Sequence, residues 1–258
     1  MMKPIHLHGR PVGDGNNPLI CTPLVGKTPE AVINEVAVVL PKRPDVLEWR
    51  VDFFEDIGDS ATVIDVAGRI KKAAGAIPII FTCRSKNEGG QRVALDDAGI
   101  VELLAAVCAS RCVDIIDYEL SNPADDLARL RQASRANDVA MIMSYHNFQS
   151  TPDAAVLAAK FMDAERLGAD IAKVAVMPAS PEDVLTLLGA VWRASEAGSI
   201  PLIGMSMGGF GSVSRMVGGV FGSALTFAVG KSSSAPGQIA IEDLRIALNT
   251  VGRSVTGN

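Results

Sequence analysis

The sequence has no excess of basic charge and no long apolar run. Its 258 residues include 24 lysine and arginine residues against 29 aspartate and glutamate residues, which gives a net charge of −5 and a pI near 5.3. Proteins that bind nucleic acids or anionic membranes present basic surfaces, so this balance argues against both kinds of partner. No apolar run approaches the roughly 20 residues of a membrane-spanning helix.

Cysteine is also scarce. The four cysteines are scattered, and only Cys108 and Cys112 lie close together, without a second pair to complete a zinc site. The stretch after Met1 contains one lysine and no apolar region typical of a secretory leader. We therefore expect a cytoplasmic protein with reduced thiols and no bound metal.

Short apolar runs alternate with amphipathic helical patterns along the chain. Eight strands are predicted, at residues 19–24, 46–53, 77–83, 113–119, 139–145, 170–177, 200–205 and 223–227. Helices are predicted at 63–74, 97–109, 123–136, 153–167, 181–197 and 241–251, with a weaker one at 213–221 and another that Thr28 caps.

This alternation predicts an α/β fold, a single (β/α)₈ barrel domain over residues 1–258. The hydrophobic content of 48% suffices for one large core. A doubly wound open sheet is the alternative. The glycine cluster at 208–211 does not complete the GxGxxG pattern of a dinucleotide-binding loop, and it follows the seventh strand instead of the first. Residues 1–18 predict an N-terminal hairpin, with its turn at the glycine- and asparagine-rich residues 13–17, and the polar tail at 253–258 is expected to fray.

Charged residues interrupt the apolar strands in a regular way. In the second strand Glu48, Arg50 and Asp52 share one face, because side chains in a strand alternate between faces. The interior of a barrel is normally filled by branched apolar side chains. Either mutual pairing of these charges or a polar pocket at the carboxyl-terminal mouth of the barrel would explain them.

Lys173 stands in the middle of the apolar stretch 169–178. Removing an ammonium group from water disfavours its charged form and leaves a nucleophilic amine, so one hypothesis is a Schiff base with a substrate carbonyl. The alternative is a lysine at the strand's end that pairs with a carboxylate. His146 ends the neighbouring strand, where it suits either proton transfer next to that carbonyl or a hydrogen-bonded place in the core.

Arginines and a polar loop complete the candidate pocket. Arg50, Arg84 and Arg215 have the planar geometry that clamps a carboxylate. The loop 232–238 is rich in turn residues, which fits a plain connection or part of a site. The residues alone therefore predict Schiff-base chemistry, without a cofactor, on a small anionic keto compound.

Seven segments occur in order from the second strand to the last loop. They are EWRVD at 48–52, TCRS at 82–85 with EGG at 88–90, DYEL at 117–120, MSYH at 143–146, KVAVMP at 173–178, MSM at 205–207 with SR at 214–215, and SAPGQ at 234–238. Together they resemble the type I 3-dehydroquinate dehydratases of the shikimate pathway. The resemblance covers nearly the whole chain.

The resemblance implies a barrel whose base is closed by the N-terminal hairpin, a homodimer, no metal or cofactor, and 3-dehydroquinate as the substrate. Lys173 resembles the Schiff-base lysine, His146 the general acid/base and Glu88 the residue that orients the histidine. Six further residues match positions that bind the substrate or shape its pocket: Glu48, Arg50, Arg84, Arg215, Ser234 and Gln238. Of these six, Arg215 and Gln238 resemble the groups around the substrate carboxylate.

Two other functions are compatible with parts of this pattern. A class I aldolase would also form an iminium on a barrel, but it would need a phosphate site near the last two strands, where residues 208–211 lie. A barrel that has lost catalysis and only binds a ligand would have no need of both Lys173 and His146.

Overall fold

The computed structural model describes residues 4–15 and 17–257. Residues 1–3, 16 and 258 of the predicted hairpin and tail lie outside this description. The chain begins with two short antiparallel strands, β1 (Ile5–Leu7) and β2 (Arg10–Val12), so the predicted hairpin is present. Its predicted turn at 13–17 is wrong, because Leu7 pairs with Arg10 and the turn lies at residues 8 and 9. Nine parallel strands follow: β3 (Leu19–Leu24), β4 (Val46–Arg50), β5 (Ile79–Thr82), β6 (Ile115–Glu119), β7 (Ala140–Asn147), β8 (Ile171–Val176), β9 (Leu202–Ser206), β10 (Leu225–Val229) and β11 (Ile239–Ala240).

Helices connect these strands, because neighbouring parallel strands can be joined only by a crossover. They are α1 (Pro29–Val39), α2 (Ser60–Ala74), α3 (Asp97–Ser110), α4 (Ala124–Ala136), α5 (Ala154–Arg166), α6 (Pro181–Ala197), α7 (Gly208–Val217) and α8 (Ile241–Thr256). Thr28 caps α1 by accepting a hydrogen bond from the Ala31 amide, as its sequence predicted. Among the described residues no helix combines the length and apolarity needed to cross a membrane.

The sheet curls into a cylinder, which excludes the open-sheet alternative. Strands β3 to β10 lie in sequence order, and β10 pairs with β3. The seam between β9 and β10 is narrower, with one bridge between Leu202 and Ser223. The Ala224 amide donates to the Leu202 carbonyl at 2.7 Å, and the Gly204 amide donates to Ser223 Oγ at 3.1 Å. The (β/α)₈ barrel is thereby confirmed.

Several predicted boundaries are wrong, and three elements show the physical causes. The second strand ends at Arg50 instead of residue 53, because residues 51–53 form a 3₁₀ turn. Helix α7 begins at Gly208 instead of residue 213 and ends at Val217, where a 3₁₀ turn follows. Glycine has a low helix propensity, so the glycines at the start of α7 did not indicate a helix in the sequence. Helix α8 continues to Thr256, past the expected start of the frayed tail, on a buried face that includes Leu248.

The barrel interior is built in layers. An apolar layer near the base takes one residue from each of the strands β3 to β10: Cys21, Val46, Ile80, Ile115, Ile142, Ile171, Ile203 and Leu225. Leu7 and Val12 of the hairpin pack against this cluster, so the hairpin closes the base. The contacts of His8 with Asp114 at 2.8 Å and of Arg10 with Asp45 at 3.1 Å fasten it there.

A polar layer lies above the apolar one. Side chains two positions further along five consecutive strands, β4 to β8, are polar and buried: Glu48, Thr82, Asp117, Ser144 and Lys173. A step of two residues keeps the same face of a strand, so these side chains follow the apolar layer toward the mouth of the barrel. Because buried polar groups must be paired to be tolerated, this layer is where the chemistry of the chain is concentrated.

Candidate active site

One cavity at the carboxyl-terminal mouth of the barrel is lined by all nine residues that the sequence singled out. The space between its walls is about 440 Å³ when the open solvent at its mouth is included. The predicted residues in its wall are Glu48, Arg50, Arg84, Glu88, His146, Lys173, Arg215, Ser234 and Gln238. Active sites of (β/α)₈ barrels lie at this end.

Lys173 projects into the cavity from β8 and is only 4% exposed. Its Nζ donates a hydrogen bond to Asp117 Oδ2 at 2.9 Å and lies 3.5 Å from Glu48 Oε1. The ring of Phe227 faces the same nitrogen, with its centroid 4.7 Å away. The contact with Asp117 is the ion pair that a purely structural lysine would make. A purely structural lysine would not need to line the cavity, as Lys173 does.

His146 and Glu88 form a pair although they are 58 residues apart in the sequence. His146 Nδ1 lies 2.9 Å from Glu88 Oε2, and the His146 amide donates to the same oxygen at 2.9 Å. Ser121 Oγ donates to Glu88 Oε1 at 3.0 Å. A 3₁₀ turn presents Glu88, and Gly90 allows it because a Cβ there would lie 1.9 Å from the Arg84 carbonyl oxygen.

Burial shifts both members of this pair toward their neutral forms. It lowers the pKa of His146 well below its usual value, and the nearby cations Arg84 and Lys173 act in the same direction. Burial and the Glu119 carboxylate raise the pKa of Glu88 to about 7, against the opposing effect of Arg84. An imidazole held neutral by its surroundings is suited to accept a proton.

Both explanations for the charges of the second strand hold. Arg50 donates two hydrogen bonds to Asp52, from Nε and Nη2, each at 2.8 Å, because the 3₁₀ turn swings Asp52 back toward the strand. Glu48 accepts a hydrogen bond from Thr82 Oγ1 at 3.0 Å. Glu48 and Arg50 line the cavity, so mutual pairing and a polar pocket coexist.

Arg84 connects polar side chains of β6 and β7. Its Nη1 donates to Ser144 Oγ at 2.8 Å and to Glu119 Oε1 at 3.0 Å, and its Nη2 donates to Asp117 Oδ1 at 2.6 Å. The sequence did not select Asp117, Glu119 or Ser144 as site residues. The signal was present, because Asp117 and Glu119 share the inward face of β6 with the apolar Ile115.

Arg215 is fully buried on α7 and has no carboxylate partner among the ion pairs of the described residues. Its Nε and Nη2 donate to the carbonyls of Gly237 at 3.0 Å and Pro236 at 3.1 Å. Burial lowers its pKa to about 10. These bonds tie the loop 232–238 to α7, and within that loop Gln238 Nε2 donates to Ser234 Oγ at 3.3 Å.

An apolar wall completes the cavity. It includes Phe148, Met205, Met207 and Phe227. Met205 and Met207 belong to the MSM segment at 205–207, but no sequence signal distinguishes Phe148 and Phe227 from ordinary core residues, because apolar side chains at strand ends are common throughout a barrel.

Fold and site together define a (β/α)₈ barrel with a buried lysine and a histidine–carboxylate pair at its mouth. The family model for type I 3-dehydroquinase matches residues 20–255. The 3-dehydroquinate dehydratase of Albidiferax ferrireducens is 55% identical over 253 residues, which are 98% of this chain and 96% of the relative. The chain belongs to the type I 3-dehydroquinase family, as its seven segments predicted.

Solved structures agree with this assignment. The crystal structure of 3-dehydroquinate dehydratase from Geobacillus kaustophilus has a TM-score of 0.95 at 46% identity, with 96% of each chain covered. That of the type I enzyme from Clostridium difficile, with covalent modified comenic acid, has a TM-score of 0.94 at 34% identity and covers 98% of this chain and 100% of the other.

Proposed function

We propose that this protein dehydrates 3-dehydroquinate to 3-dehydroshikimate through a Schiff base on Lys173, as a step of the shikimate pathway. The observation that carries the proposal is the one cavity that holds Lys173, His146 and Arg215, a cation without a carboxylate partner among the described residues. A lysine suits the ketone, a neutral histidine suits proton transfer and an arginine suits the carboxylate of this substrate. Relatives named for the same reaction, one of them with a covalently modified ligand, support it.

The reaction begins at Lys173. The Lys173 ammonium, which pairs with Asp117, first gives up one proton, and the neutral amine then attacks the C3 ketone of the substrate. Two protons from the nitrogen end on the ketone oxygen, which leaves as water and gives a protonated imine, the iminium. The iminium withdraws electrons and acidifies the C2 proton, which His146 removes to give an enamine. The enamine expels the C1 hydroxyl, to which His146 returns a proton so that water leaves. Hydrolysis of the imine then releases the product and restores the lysine.

The role of His146 as the base rests on its surroundings. Burial and neighbouring cations keep the imidazole neutral. The Glu88 carboxylate accepts the Nδ1–H hydrogen bond, which leaves the lone pair of Nε2 for the proton of the substrate.

Arg215→Lys tests the carboxylate site. We expect KM for 3-dehydroquinate to rise about 10- to 100-fold with a smaller change in kcat, because lysine keeps the charge but loses charge-assisted hydrogen bonds of about 1.5–3 kcal/mol. Steady-state kinetics measure the change. Arg193→Lys on the exposed face of α6 is the matched control and should leave both constants unaltered. An unchanged KM in the Arg215 variant would contradict the assignment.

Glu88→Gln tests the orientation of His146. We expect kcat to fall about 10- to 100-fold, the usual effect of removing a residue that supports a catalytic group, and less than after removal of Lys173 or His146. In the unaltered protein kcat/KM should rise as the pH increases through about 7, the raised pKa of Glu88, because the carboxylate orients the histidine only when ionised. His146 is already neutral in that range, so this rise should disappear in Glu88→Gln. A rise that persists in the variant would assign it to another group.

Reductive trapping tests the function as a whole. The purified protein is mixed with 3-dehydroquinate and borohydride, the enone absorbance of the product is followed without borohydride, and the peptides are analysed by mass spectrometry. We expect product formation and an adduct confined to the peptide that contains Lys173. Activity on a phosphosugar but not on dehydroquinate would indicate an aldolase. Absence of any adduct from folded protein would indicate a structural lysine.

Three further properties stay predictions. The family resemblance favours a homodimer, and composition favours a cytoplasmic location without a metal or cofactor. Sedimentation of the purified protein tests the first, and activity after exhaustive treatment with a chelator tests the absence of a metal.

A further inference from the structure

Asp117 makes an unusual set of contacts for a residue that does not line the cavity. Its carboxylate is 1% exposed and accepts hydrogen bonds from three side chains on three different segments. Oδ1 receives Arg84 Nη2 at 2.6 Å and Ser144 Oγ at 2.6 Å, and Oδ2 receives Lys173 Nζ at 2.9 Å. Oδ1 is thus fixed by two donors, which leaves Oδ2 aimed at the lysine.

This carboxylate stays ionised. Burial opposes its charge, but Arg84 and Lys173 outweigh burial and hold the pKa of Asp117 well below its usual range. A fixed negative charge next to a nitrogen that becomes positive acts strongly in a buried site, because little solvent screens it.

The second acceptor near Lys173 differs in two respects. Glu48 Oε1 is 3.5 Å from Nζ, further than Asp117, and Glu48 is part of the cavity wall. A lysine ammonium has three N–H groups and can serve both carboxylates. An iminium nitrogen is bonded to Cε, to the substrate carbon and to one hydrogen, so it can donate a hydrogen bond to only one of the two carboxylates.

We propose that Asp117 is the positioning residue for the iminium on Lys173, and that Glu48 is released to the substrate when the iminium forms. This inference rests on the proposed function. The remaining N–H stays with the nearer and more rigid acceptor, which fixes the plane of the C=N bond and balances its charge. Glu48, freed from the lysine, is then available for the contact with the substrate that the family resemblance already implies.

Asp117→Asn and Glu48→Gln separate the two carboxylates. Both are made in the full chain and assayed with 3-dehydroquinate for kcat, for KM and for the fraction of protein trapped by borohydride. Asp117→Asn should lower kcat about 100-fold, comparable to loss of a group that stabilises a developing charge, and should lower the trapped fraction while KM changes little. Glu48→Gln should raise KM and keep the trapped fraction. A damaged core would not produce this opposite split.

Three outcomes overturn the inference. They are an Asp117→Asn variant with unaltered kcat and trapping, a Glu48→Gln variant that loses trapping at constant KM, and a Ser144→Ala variant with unaltered kcat. The last variant keeps the charge of Asp117 and removes one donor to it, so it decides the matter if Asp117→Asn does not fold. Ser144→Ala should lower kcat about 3- to 10-fold, the effect of one hydrogen bond. If the unaltered protein forms no adduct, the proposed function itself fails, which distinguishes that result from the other three.

Discussion

Lys173→Ala should abolish the covalent intermediate and reduce kcat on the order of 10⁴-fold or more, as removal of a nucleophile does in other enzymes. Alanine has no group that can form an imine, so borohydride should leave no substrate-derived mass on the protein. The loss should be in kcat, because Arg215 and the other residues of the cavity wall are unaffected and still bind the substrate.

A loss of activity in Lys173→Ala must be distinguished from a loss of stability. Lys173 pairs with Asp117, and an alanine at residue 173 leaves that carboxylate without one of its donors. Thermal unfolding with and without substrate therefore accompanies the kinetics, since a folded variant is still stabilised by a ligand that it binds. Lys72→Ala, an exposed lysine on α2, is the matched control. An adduct that persists in Lys173→Ala would place the Schiff base elsewhere.

His146→Ala should separate adduct formation from elimination. The amine of Lys173 still forms the iminium in this variant, though more slowly, but no base removes the C2 proton. We expect kcat to fall about 10²- to 10⁴-fold, the usual contribution of general acid–base catalysis. Borohydride should then trap an adduct with the mass of the bound substrate, before water is lost.

The mass of the adduct is the informative readout. In the unaltered protein the adduct can carry either substrate or product, which differ by one water, whereas His146→Ala should carry substrate alone. His6→Ala, an exposed histidine on β1, provides the matched control and should behave as the unaltered protein does. Turnover at the unaltered rate in His146→Ala would refute the acid/base assignment.

Much of the fold was predictable because it depends on local pattern. Apolar runs and helical periods placed every strand from β3 to β10, since burial selects side chains with the period of each element. Most errors concerned boundaries, such as the 3₁₀ turn after Arg50 and the start of α7 at Gly208. Strand β11 was not predicted, because two residues are too short to show a period.

The candidate site was predictable in part for a different reason. Alternation along the second strand indicated that Glu48 and Arg50 share one face, the apolar run around Lys173 marked that lysine, and the resemblance added residues of the loops. All nine line one cavity. Asp117 was visible by the same alternation, but its importance was not, because a charged residue on an inward face can have any of several partners.

The sequence by itself determined the class of fold, the shared face of the charges in the second strand and the identity of the lysine, the histidine and their neighbours in the cavity. The resemblance implied the contact of Glu88 with His146, but only the tertiary structure decided that Asp117 lies against Lys173. Asp117 meets Lys173 across 56 residues of sequence, and Glu88 meets His146 across 58. The reason is physical: such contacts depend on the register between strands, and register is set by pairing across the whole sheet rather than by any one segment.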